Sequence, residues 1–91
     1  MNHTAAFYFA NLGADVSRCI TAIQQGNEAR YQDSLSRAYN TLEQLRKANR
    51  PEAYEEGLLM LRGLALFRST PDILSSFRLS LDSLIAGFVT T

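Results

Sequence analysis

Four successive stretches of this chain repeat apolar residues at intervals of three and four, and only two or three residues separate one stretch from the next. That spacing lines one face of an α-helix, whereas a half-buried strand needs alternation at every second residue. No segment sustains such alternation, and no Asn-Gly or Asp-Gly pair offers a hairpin turn. The chain is therefore expected to be all-α. Connections this short make sequential helices antiparallel. The expected architecture is an up-down-up-down antiparallel four-helix bundle, a single domain over residues 1–91.

The helices are expected at about 4–25, 28–49, 51–68 and 71–88. Phe9, Leu12, Val16, Cys19 and Ile23 form the first seam, widened by Ile20, with Asn11, Asp15, Arg18 and Gln25 on the other side. Gly26 suits the left-handed position after a helix, and Asn27 suits the N-cap of the next. The second seam is Tyr31, Leu35, Ala38, Leu42 and Leu45. Asp33/Arg37 and Glu43/Lys47 are acid-before-base pairs one turn apart. Pro51 and Pro71 fit the first helical position, where a missing N–H costs nothing, and Thr70 fits the cap before Pro71. The fourth seam is Leu74, Phe77, Leu81, Leu84 and Phe88, flanked by Ile73 and Ile85, with Val89-Thr90-Thr91 as a frayed end.

The third helix differs from the rest. Tyr54, Leu58, Leu61 and Ala65 make one seam, but Leu59, Met60, Leu64, Leu66 and Phe67 cover most of the remaining circumference. Arg62 is the one charge between Gly57 and Phe67. A helix apolar nearly all round must be surrounded.

Composition narrows the function classes. At 46% hydrophobic and 20% charged, the chain has globular composition. Nine basic and nine acidic residues give zero net charge, so no strong field steers it to nucleic acid or an acidic membrane. The eight arginines are spread over all four helices, which argues against a nucleic-acid surface. The longest apolar stretch, 57–67, is too short for a bilayer span of about 20 residues. Met1-Asn2-His3-Thr4 lacks the basic region of a signal peptide, and the expected location is cytoplasmic.

Chemistry has few candidates. His3, the sole histidine, has no acid three residues before it, so the Glu-x-x-His spacing of bundle metal sites is missing and no metal is expected. Cys19 lies on an apolar seam far from that histidine and reads as a small buried hydrophobe. Glu52, Glu55 and Glu56 open a helix near Arg46, Lys47 and Arg50, where dipole complementation and solvated ion pairs explain them. Gly57 and Gly63 fall inside a helix instead of a phosphate loop and suit close helix approach. No catalytic residue or cofactor is expected, and the protein is read as a non-enzyme.

Phe7, Tyr8 and Phe9 fan across about 200°, so they cannot all face one core, and Tyr39 lies beside its seam. The leading expectation is a helical interaction module that self-associates as a homodimer, with Phe7, Tyr8, Leu59, Met60 and Leu66 at the interface. The alternative is an adaptor that holds a client helix or an apolar ligand. The stretch Ala22-Ile23-Gln24-Gln25-Gly26-Asn27-Glu28, followed by Leu35, Ala38, Leu42 and Leu45, resembles the helix pair of flagellar and type III export chaperones. That resemblance covers about a quarter of the chain and implies a client protein as partner.

Overall fold

The computed structural model describes residues 3–89. It contains α1 (Ala5–Gln24), α2 (Glu28–Arg46), α3 (Pro51–Phe67) and α4 (Pro71–Val89). These helices hold 86% of the described residues, and none of the described residues is in a strand. The side chain of Phe88, and Thr90 and Thr91 of the expected frayed end, lie outside the description; Val89 still belongs to α4. α2 stops three residues earlier than its pattern suggested. Asn49 there adopts a left-handed φ of 59°, which asparagine tolerates better than most residues, and the chain turns before Pro51.

The helix ends are built by the residues at the breaks. Thr4 Oγ1 accepts the Phe7 N–H at 3.2 Å and opens α1. Gly26, at φ 67°, donates to the Ile23 carbonyl at 3.0 Å, and Asn27 donates to the Ala22 carbonyl at 2.9 Å. This pair of bonds is a Schellman closure of α1. The Asn27 side chain then accepts the Arg30 N–H at 3.0 Å, so one residue ends a helix with its backbone and starts the next with its amide. Pro51 and Pro71 each stand at the first position of their helices, as expected.

α1 is the central helix. Nine of its 20 residues are buried, against five of 17 in α3. α1 packs on the other three helices, as does α3, whereas α2 and α4 do not touch. α1 and α3 are therefore the close diagonal of the bundle, and Gly57 makes that approach possible. A Cβ at Gly57 would stand 2.8 Å from Leu12 Cδ2, 3.0 Å from Leu42 Cδ1 and 3.2 Å from Leu45 Cδ2. Phe9, Leu12, Val16, Cys19, Leu45 and Leu64 are fully buried in the core.

Two expectations are corrected here. The buried stripe of α3 is Ala53, Gly57, Met60, Leu61 and Leu64, while Leu58 is half-buried and Ala65 is exposed. The helix is turned so that its small residues meet the α1–α2 pair, where space is least. Asp15 is buried at 7% exposure instead of facing water. A helix flanked on both sides has no wide polar face, and Asp15 falls against α2. It accepts hydrogen bonds from Thr41 Oγ1 at 3.0 Å and from the Arg18 guanidinium at 3.1 Å, which satisfies the carboxylate.

Polar ties hold α4 and the end of α3. Arg78 donates to the Ser17 carbonyl at 2.8 Å and to Thr21 Oγ1 at 2.6 Å, pinning α4 to α1. Arg68, just after α3, lies 3.9 Å over the Tyr31 ring and pairs with Glu28 at the start of α2. That hydrogen bond holds the Glu28 carboxyl below its usual range.

Candidate self-association surface

The residues expected at an interface do not share one surface. Leu59 is 56% exposed and Leu66 71% exposed. Met60, expected beside them, is 2% exposed and packs inside the chain's own core. The turn of α3 that buries Ala53 and Gly57 brings Met60 inward with them, so it offers nothing to a partner. Phe7 is exposed and stacks on His3 with ring centroids 3.8 Å apart, while Tyr8 is half-buried against the core.

Helix geometry separates these positions further. At about 100° per residue, Leu59 and Leu66 sit roughly 140–160° from the middle of the buried stripe of α3, and Phe7 sits about as far from that of α1. Both stripes face the common core from the two ends of a diagonal. Phe7 and the Leu59/Leu66 pair therefore look out from opposite sides of the bundle. Leu59 and Leu66 are two turns apart and nearly in line, about 10 Å along the axis, with exposed Arg62 between them.

The α4 flank of this face carries an apolar residue that was expected to flank the fourth seam. Gly63 and Phe67 of α3 meet Phe77 of α4; the two phenyl centroids are 5.7 Å apart. Ile73, one turn before Phe77 on the same side of α4, is 45% exposed. Leu79, 71% exposed, projects from a different side of α4, and Tyr39, 54% exposed, from α2. The signal for Leu79 was its position far from the Leu74/Leu81 line.

The chemistry-bearing side chains are placed elsewhere. Cys19 is fully buried, its thiol 4.0 Å from the Tyr31 carbonyl, and burial with the nearby Asp15 charge pushes its pKa up to about 11. Glu52 pairs with Arg50 at 2.8 Å; the backbone N–H it accepts at the helix start and that guanidinium hold its carboxyl below the usual range. Glu43 pairs with Arg46 instead of Lys47. Among the described residues, no group of three or more His, Cys, Asp or Glu is placed to hold a metal, and no helix is long and apolar enough to cross a membrane. Compared with protein-family models, with curated proteins and with solved structures, the chain matches none.

Proposed function

We propose that this protein is a non-enzymatic helical interaction module that self-associates as a symmetric dimer through the outer face of α3. The observation that carries the reading is the pair Leu59 and Leu66, both more than half exposed and in line on one helix. Large apolar side chains concentrated on one outward face, with Ile73 at its edge, mark an association surface more than a random scatter does. Zero net charge removes the repulsion that would keep two copies apart. A standard interface takes about 800 Å² from each partner, roughly a seventh of the 5566 Å² surface of the chain. One helix face is narrow for that, so the α3–α4 edge with Ile73 belongs to the contact.

The test is light scattering across protein concentration for the wild type and for Leu66→Asp. The expected result is a mass of about twice 10.2 kDa for the wild type and a folded monomer for the variant. A wild type that stays at 10.2 kDa into the high-micromolar range would refute the proposal.

A further inference from the structure

We propose that the trough between α1 and α2, on a different face from Leu59 and Leu66, binds the phosphate group of a small phosphorylated, hydroxyl-bearing molecule. The trough has a volume of about 560 Å³. Its described lining is three guanidiniums (Arg18, Arg30 and Arg37), three hydroxyls (Ser17, Thr21 and Ser34) and the single acid Asp33. A chain of zero net charge thus gathers a third of its nine basic residues, and one of its nine acids, around one hollow.

The positive charge is only partly answered. Arg18 pairs with Asp15 at 3.1 Å, and Arg37 with Asp33 at 3.5 Å. Arg30 has no carboxylate partner among the described residues. Arg78 reaches the wall from α4, where it donates to Ser17 and Thr21, and its oxygen partners are all neutral. Ser34 gives a second and independent pointer. It is 5% exposed and lines the trough, yet its hydroxyl bonds to no described residue. No buried side-chain oxygen or nitrogen among the described residues is left without a partner, so that hydroxyl reaches solvent, and the trough is its outlet.

Planar guanidinium forks and hydroxyl donors together match a phosphate better than any neutral group. The described lining has no aromatic ring to stack a nucleobase and no large aliphatic side chain to take a lipid chain. Asp33 adds an acceptor for a ligand hydroxyl. Those features point to a compact polar body, such as a sugar phosphate. The site stands apart from the self-association reading, and neither depends on the other.

The experiment is calorimetric titration of the full chain, at fixed physiological ionic strength, with glucose 6-phosphate, inorganic phosphate and glucose. Expected are saturable one-to-one binding of glucose 6-phosphate, weaker binding of phosphate and no heat from glucose. Arg30→Gln, at an exposed position with the fold checked by circular dichroism, is expected to weaken glucose 6-phosphate binding at least about tenfold, which is about 1.4 kcal/mol. Ser34→Ala is expected to weaken it less. No saturation by glucose 6-phosphate up to about 10 mM, a scale on which binding energy is only about 3 kcal/mol, would overturn the proposal. So would wild-type affinity in both Arg30→Gln and Arg37→Gln, or equal binding of glucose.

Discussion

The Cys19 thiol is held by two effects of the same sign: burial penalises the thiolate, and the Asp15 carboxylate four residues earlier repels it. Its pKa rises from 9.0 to about 11, so between those values the folded chain keeps a proton that the unfolded chain releases. Stability is then fully present below pH 9 and declines as pH rises toward 11. The expected outcome is a melting temperature that falls more steeply over this window in the wild type than in Cys19→Ala. The same burial makes labelling of the native thiol slow and that of the denatured thiol fast. Gly57 gives a second test at this scale. Alanine would gain about 1 kcal/mol of helix propensity, but its Cβ would stand 2.8–3.2 Å from the terminal methyls of three core leucines, and overpacking costs about 1–3 kcal/mol. Gly57→Ala is expected to lower stability by about 1 kcal/mol in a urea titration. The burial of Cys19 was legible because four apolar neighbours share its seam. Asp15 was not, since a linear pattern cannot show that α1 is flanked on both sides.

Helix existence and start points were written in cap and proline chemistry, and this is why Asn27, Pro51 and Pro71 fell where the sequence placed them. The end of α2 carried no glycine; Asn49-Arg50-Pro51 marked the break, but the left-handed turn at Asn49 ends the helix at Arg46, three residues before the expected point. The facing of α3 was harder to read. Its apolar residues nearly encircle it, so periodicity gave no unique direction, and the choice fell to the small residues Ala53 and Gly57. α4 is the element with least support: among its described side chains only Leu74 and Leu81 are buried, against five residues of α2, and Arg78 supplies its polar anchor. Elements with few buried contacts open first. Native hydrogen exchange is expected to be fastest in α4, apart from frayed ends. Arg78→Met keeps the aliphatic stem and removes the donors to Ser17 and Thr21, at an expected cost of about 1–2 kcal/mol. Exchange in α4 should then rise well above that in α2. Equal acceleration of both helices would mean that α4 does not open as a separate unit.

At the scale of the whole molecule, the placement of the outward apolar residues decides what kind of assembly the proposed contact produces. If the Leu59/Leu66 face met its own counterpart, the contact would be reciprocal about a two-fold axis and growth would stop at two copies. If that face met the Phe7 side of the next copy, each molecule would present one donor face and one acceptor face on opposite sides, and growth would continue as a filament. Burial favours the first arrangement. Leu59 and Leu66 are each more exposed than Phe7, which already covers part of its ring by stacking on His3. Matching the more exposed face with itself removes more apolar area from water, at about 25 cal/mol per Å². Leu66→Asp and Phe7→Asp therefore separate the two geometries. Each aspartate stands in solvent in the free chain, so neither variant should unfold, whereas Leu61→Asp, at 4% exposure, places a carboxylate in the core and should unfold the chain. Sedimentation velocity of the wild type is expected to saturate at a single dimeric species as concentration rises. Phe7→Asp should sediment as the wild type does, and Leu66→Asp as a monomer. A wild-type mass that grows without limit, abolished equally by both substitutions, would assign the assembly to head-to-tail contacts between opposite sides of the bundle.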